Sequence, residues 1–266
     1  MQLCSAAVAA GYRLTTHDTL VSTNAEALTR ARAGEREPLW IVAAEQTAGR
    51  GRRGNEWVSP PGNLYATLLL TDPAAAESAP ELSFVTALAV HDAVVERAPE
   101  LGAALALKWP NDVLYDGAKL AGILIESERA GNALAIAIGI GVNCRNHPAA
   151  TPYPVTDLKA AGADVSAAAL FETLSATMLR RLRQWRRGAG FADIRTDWIA
   201  RGAGMGGEMR VKLPDREIFG SGEGLDERGR LLLRVADGSV QPIAAGEVFP
   251  LTGVPPLRSR AAGQAN

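Results

Sequence analysis

The chain has 266 residues, 47% hydrophobic and 21% charged, the make-up of a soluble globular enzyme long enough to fold without disulfide or metal staples. Its 28 Lys and Arg stand against 29 Asp and Glu, a formal net charge of -1, so it lacks the basic excess expected of a nucleic-acid-binding chain. No stretch approaches the roughly 20 apolar residues of a membrane span, and a cytoplasmic protein is expected.

The alanine-rich run at residues 6–10 has no basic flank and is not a signal peptide. Thr23-Asn24-Ala25-Glu26 has capping-box spacing, and a helix is expected from there to Ala33, stopped by Gly34. Residues 39–45 and 64–70 read as buried strands. Residues 81–97 set Leu82, Val85, Leu88 and Ala89 on one face and predict an amphipathic helix. Residues 105–109, 112–115 and 119–128 predict hairpin strands, with Asp116-Gly117 as the second turn. Gly131-Asn132 then leads into an apolar strand over 133–142, and residues 166–185 predict a long helix with basic residues in its last turns. Beyond Arg201 the glycines at 202, 204, 206 and 207 read as a joint, followed by short strands split by turn residues, the pattern of a small all-β barrel. This predicts a catalytic domain over 1–204, a barrel over 205–253 and a disordered tail over 254–266.

Gly49-Arg50-Gly51-Arg52-Arg53-Gly54 matches the dinucleotide fingerprint literally, but that fingerprint needs a helix to begin inside it. Pro60 and Pro61 follow shortly and no helix is expected, so the Rossmann reading fails. What remains is a glycine-rich loop whose three arginine forks suit carboxylate or phosphate oxygens. Mutual repulsion should leave it mobile until an anion arrives. A solvated basic loop is the plainer alternative for this motif alone.

Lys108-Trp109-Pro110-Asn111-Asp112 places polar groups around a rigid Trp-Pro pair at a strand end, where Asp112 could hold a magnesium ion bridging nucleotide phosphates. A structural salt bridge is the alternative. Lys119 opens the next strand, and Gly122 within it marks a place where a ligand approaches backbone. Residues 138–143, Ile-Gly-Ile-Gly-Val-Asn, repeat that device. Cys4 and Cys144 fit neither a disulfide framework nor a zinc spacing, and His17, His91 and His147 are too scattered for a metal site. No activated nucleophile with its base is visible. The chemistry implied is electrostatic: two anionic substrates are brought together and an α-phosphate is attacked.

At Ser22-Thr23-Asn24, the 46–54 segment, Trp57-Val58-Ser59-Pro60, Lys108 to Asp112, Lys119 to Ile123 and Gly141-Val142-Asn143, the sequence resembles the biotin protein ligases, also called biotin–[acetyl-CoA-carboxylase] ligases. The likeness runs from about Thr19 to Leu251. It implies an α+β fold, a class II aminoacyl-tRNA synthetase-like mixed sheet with flanking helices, followed by a small SH3-like barrel. It implies biotin contacts at Ser22, Thr23, Asn24, Gln46, Gly49, Arg50, Gly51, Arg52, Trp57, Lys119, Gly122 and Ile123. ATP contacts are implied at Arg52, Lys108, Asn111, Asp112, Lys119 and Asn143, with Lys119, Arg52 and Asp112 catalytic and Asp112 holding Mg2+. The activity implied forms biotinyl-5′-AMP from biotin and ATP and passes biotin to a lysine of a biotin carboxyl carrier protein, with no nucleic acid or membrane as partner. The catalytic pattern begins too early to leave room for an N-terminal helix-turn-helix, so repression is not expected. A homodimer through an exposed sheet is neither required nor forbidden. The rival functions are a lipoate ligase or octanoyltransferase of the same fold, and a non-catalytic biotin-sensing module.

Overall fold

The twelve strands of the computed structural model, which describes residues 1–251, divide into two sheets. The larger contains β1 (Arg13–Leu20), β2 (Leu39–Gln46), β3 (Leu64–Thr71), β4 (Leu105–Lys108), β5 (Asp112–Tyr115), β6 (Ala118–Ala130) and β7 (Ala133–Val142), in the order β1-β2-β3-β7-β6-β5-β4. β1 and β2 run parallel and all other neighbours antiparallel, which makes the sheet mixed.

Alternation along the strands sets the layers. On β2, Trp40 and Val42 face the main core, while Leu39 and Ile41 face a smaller one. Main-core residues pack under α3 (Glu81–Arg97), α4 (Ala167–Trp185) and α5 (Phe191–Ile199); the smaller core lies under α2 (Thr23–Arg32). β7 uses the same rule to opposite ends: Ile136, Ile138 and Ile140 fill the main core, whereas Ala135 and Ala137, then Gly139 and Gly141, face the other side with ever less side chain. A short helix, α1 (Ser5–Ala9), is tied to α4 through the Cys4 N–H and Ser175 Oγ at 2.9 Å.

Two expectations need correction. The N-cap of α2 is Ser22, with extended backbone (φ -160°, ψ 134°) and its Oγ accepting from the Ala25 N–H, so Thr23 is the first helical residue and its hydroxyl is free for other work. α3 has the expected bounds but is not amphipathic: Phe84, Thr86, Ala87, Val90, His91 and Ala93 are buried along with the predicted face. Held between the sheet and α4 and α5, it has no broad water-facing side.

The hairpin turn forms as expected, with Asp116 and Gly117 both left-handed (φ 47° and 75°), as a two-residue β-turn of this twist demands. Burial pushes the Cys144 thiol up to about 12, the behaviour of an inert core cysteine.

The second sheet, β8 (Glu208–Lys212), β9 (Glu217–Leu225), β10 (Leu231–Arg234), β11 (Val240–Ile243) and β12 (Glu247–Pro250), is antiparallel throughout, in the order β11-β10-β9-β8-β12. Met209, Val211, Leu231, Leu233 and Val248 belong to the same buried cluster as Phe84 and Trp198. The Trp109 indole N–H donates to the Gly229 carbonyl at 3.0 Å, and the linker pairs with β4 through Leu107, whose N–H meets Arg201 O and whose carbonyl meets the Ala203 N–H, both at 2.8 Å. The expected tail over 254–266 lies outside the described residues.

Candidate functional site

Where β7 and β6 lack side chains, a pocket opens on the α2 face of the sheet. Its floor is Gly122, Gly139 and Gly141. A methyl group on Gly139 would sit 2.4 Å from Asn24 Oδ1, and one on Gly141 would sit 2.5 Å from the Trp57 indole. Both approaches are impossible for any residue with a Cβ, so the glycines are what lets Asn24 and Trp57 reach the sheet.

One end of the pocket is neutral and polar. Gln46 Oε1 accepts from the Thr23 N–H (2.9 Å) and hydroxyl (3.1 Å), while its Nε2 donates to Ser59 Oγ at 3.0 Å, which fixes the amide's orientation. Thr67 donates to Asn24 Oδ1 at 2.6 Å, and Asn24 Nδ2 donates to Glu126 Oε2 at 2.8 Å. Thr23, Asn24, Ser59 and Thr67 are all buried, so this chain of donors and acceptors is rigid and pre-organised.

The other end is cationic. Lys119 Nζ lies 2.7 Å and Lys108 Nζ 3.7 Å from the Asp112 carboxylate. Both lysine side chains are nearly covered, at 15% and 12% exposure, and both ammonium groups face aromatic rings: Lys119 faces Trp57 at 5.3 Å and Tyr153 at 5.7 Å, and Lys108 faces Tyr153 at 5.8 Å and Phe249 at 5.4 Å. Asn111 donates to Ile123 O at 2.7 Å and accepts from Arg52 Nη1 at 3.1 Å. Burial, reinforced by the neighbouring Arg53, lowers the Arg52 pKa from its ordinary value against the pull of Asp112. Arginine still keeps its charge, so Arg52 is a cation held where an anion would relieve it.

Between these ends crosses the arginine loop. It contains one 3-10 turn (Arg52–Gly54) and no α-helix, in keeping with the failure of the dinucleotide reading. Gly51 N–H to Asn55 O (2.7 Å) and Trp57 N–H to Gly49 O (2.9 Å) fold it on itself, and Arg50 and Arg52 tie it to opposite sides of the pocket. Tyr65 anchors the following segment by donating to Pro60 O at 2.8 Å.

The structure thus brings Ser22, Thr23, Asn24, Gln46, Arg50, Gly51, Arg52, Trp57, Lys108, Asn111, Asp112, Lys119, Gly122 and Ile123 to one pocket. Two expected residues fall outside its lining. Gly49 packs against the Trp57 carbonyl and Ser59. Asn143 is buried as a brace, donating to Thr156 O at 3.0 Å and accepting from the Leu158 N–H at 3.0 Å. Lys119 and Lys108 share one carboxylate, Asp112. Sequence reading missed Tyr153, Gly246 and Glu247 in the lining. Tyr153 carried a signal, an aromatic ring between Pro152 and Pro154; Gly246-Glu247 belongs to the stretch that resembles the family's SH3-like barrel, with no pocket role implied.

Residues 19–143 match the model of the biotin/lipoate A/B protein ligase family, and residues 206–249 match that of the biotin protein ligase C-terminal domain. The chain is 44% identical over 236 residues to the biotin–[acetyl-CoA-carboxylase] ligase of Paracoccus denitrificans, covering 86% of this chain and 96% of that protein. It is 32% identical over 235 residues to the bifunctional ligase/repressor BirA of Bacillus subtilis, covering 86% and 71%. Among solved structures, the biotin protein ligase from Aquifex aeolicus in complex with biotin and ATP superposes with a TM-score of 0.73 at 27% identity, covering 89% of this chain and 97% of that one.

Proposed function

The chain belongs to the biotin/lipoate A/B protein ligase family, and from that premise we infer how its own residues do the family's work. It is an ATP-dependent biotin–[acetyl-CoA-carboxylase] ligase: biotin and ATP give biotinyl-5′-AMP and pyrophosphate, and a lysine of a biotin carboxyl carrier protein then takes the biotin and releases AMP. The observation that carries the reading is the pocket's polarity. A fixed neutral hydrogen-bonding end suits a ureido ring, and a cationic end suits a carboxylate meeting a triphosphate.

Thr23, Asn24 and Gln46 hold the ring, with Ser22 fixing the helix start beneath them and Trp57 covering the apolar part against Gly122, Gly141 and Ile123. Lys119 and Lys108 neutralise the approaching oxyanions, and Arg52 exchanges its Asn111 contact for the phosphate as charge develops. Holding both reactants in one pocket removes most of the entropic barrier to their meeting. Arg50 and Gly51 shield the water-sensitive mixed anhydride as the loop crosses above it.

The donor set fits magnesium arriving on the nucleotide rather than a resident ion. Among the described residues no group of three or more His, Cys, Asp or Glu could hold a metal, and Asp112 is a single carboxylate facing two lysines. We assign Asp112 as the protein's ligand, the phosphates and water supplying the rest; there the ion would screen phosphate charge. The assignment of residues 1–204 to catalysis and 205–253 to a barrel that closes over Lys108 through Phe249 is supported by the two matched segments. No helix among the described residues is long and apolar enough to cross a membrane, and with two free cysteines a cytoplasmic setting is our reading.

The test is direct: purified protein with biotin, MgATP and a carrier domain should release pyrophosphate and add biotin to one carrier lysine by mass spectrometry. Preference for lipoate, or biotin binding without pyrophosphate, would defeat the assignment.

A further inference from the structure

The Arg50 that shields the mixed anhydride is paired with a carboxylate, Glu126, that has no part in these steps. Glu126 lies on β6 in the row that runs Gly122, Leu124, Glu126 along the pocket face. Its Oε2 accepts from two donors, Asn24 Nδ2 at 2.8 Å and Arg50 Nη2 at 3.0 Å. Asn24 is 3% exposed and is itself held by Thr67, so the carboxylate is fixed from below before Arg50 reaches it from above. The pair is half open to water, with Arg50 at 47% and Glu126 at 28%. Alone, such a pair contributes little, but a carboxylate already held by Asn24 spares the pair the cost of ordering Glu126.

The loop's two ties differ in what the reaction asks of them. Arg52 must leave Asn111 Oδ1 to meet a phosphate, which trades the loop's protein tie at that end for one to the ligand. Arg50 has no such competitor, because Glu126 stands beside Asn24 and four residues along β6 from Gly122, the register partner of Asp112. We propose that Glu126 is a positioning residue for the arginine loop: by holding Arg50 it keeps the loop across the pocket after the first step and sets how long biotinyl-5′-AMP is retained for the acceptor lysine. This rests on the ligase reading above.

Glu126→Gln keeps an acceptor for Asn24 and removes the charge that holds Arg50. Released biotinyl-5′-AMP, trapped during turnover without acceptor, should rise about two- to fivefold, the scale of one partly exposed ion pair. The single-turnover rate of pyrophosphate release should stay within about twofold on the same scale. Reversing the pair, Arg50→Glu with Glu126→Arg, should retain the adenylate better than either single reversal, a coupling that a merely structural role would not produce. Glu128→Gln, which breaks the neighbouring pair with Arg32 on α2, serves as the control and should release no more than wild type. Pyrophosphate at the wild-type rate with no added release from Glu126→Gln would overturn the latch alone, as would a double reversal that leaks as much as the singles. A wild-type protein that makes no pyrophosphate overturns the ligase reading and the latch with it.

Discussion

Arg181 and Lys119 are both nearly buried cations, and their surroundings differ in kind. Arg181, on α4, meets Asp92 at 2.7 Å and Asp197 at 2.6 Å, with Gln184 Oε1 at 2.7 Å: two carboxylates and an amide around one guanidinium. In the pocket the balance is reversed. Five cations, Arg50, Arg52, Arg53, Lys108 and Lys119, line it beside three carboxylates, Glu56, Asp112 and Glu247, with Glu126 pairing Arg50 as a fourth. A saturated cluster locks helices together; an unsaturated one has positive charge left over, and on the proposed function that surplus is what an anionic substrate meets.

The strongest way to break the comparison is to remove the pocket's central cation. Lys119→Ala should slow adenylate formation by about 10²–10³-fold, as when a donor to a developing oxyanion is lost. A wild-type single-turnover rate would take Lys119 out of the first step.

At the saturated cluster the loss should fall on stability. Asp92→Asn should cost about 2–4 kcal/mol in denaturant unfolding, because Arg181 loses one of its two counter-ions while nearly buried, and kcat should be unchanged. Burial pushes the Asp92 carboxyl up, but hydrogen bonds from His91 and Arg181, with the charge of Arg181, bring it down to about 2. A depressed carboxyl stabilises the fold above its unfolded pKa of about 3.9 and loses that contribution as pH falls towards 2. The gap between wild type and Asp92→Asn should therefore shrink between about pH 4 and pH 2. A gap independent of pH would show that the loss is not electrostatic.

Smaller changes sharpen the pocket side. Gly141→Ala should raise the KM for biotin about 10- to 100-fold, since the new methyl group displaces the Trp57 indole, and overpacking of this kind costs about 1–3 kcal/mol. Binding unaltered in isothermal titration would mean that Trp57 does not cover the ligand. The least effect is expected at the barrel: Phe249→Leu should raise the KM for ATP about two- to fivefold, with Phe249→Tyr restoring it, as befits one cation–π contact to Lys108.

Much of this was legible before any coordinates. Periodicity and turn residues sufficed for β2, α3 and the hairpin at Asp116-Gly117, because their signals are local. The cap of α2 was misplaced by one residue because Ser22 and Thr23 carry the same chemistry and only backbone angles separate them. α3 was taken as amphipathic because no sequence window shows that α4 and α5 cover its far side. In the site, Gly122 and the glycines of β7 announced a close approach, although the groups approaching, Trp57 and Asn24, come from distant segments. Asn143 shows the reverse: a motif residue at a strand end whose amide turns to Thr156 O while its backbone carbonyl takes the Leu158 N–H. Glu247 and Gly246 reach the pocket only through packing of the second sheet, which no spacing encodes.

The joint between the two sheets carries a consequence for how the protein comes apart. Although residues 1–204 and 205–253 read as separate modules, cutting between them would strip Trp109 of its cover, leave its indole N–H without the Gly229 carbonyl and open Phe84 to water. It would also part β4 from the continuation of its linker partner near Ala203. Neither piece keeps a closed interior, so the chain should melt in a single cooperative calorimetric transition, and the larger piece should not survive as a truncated product.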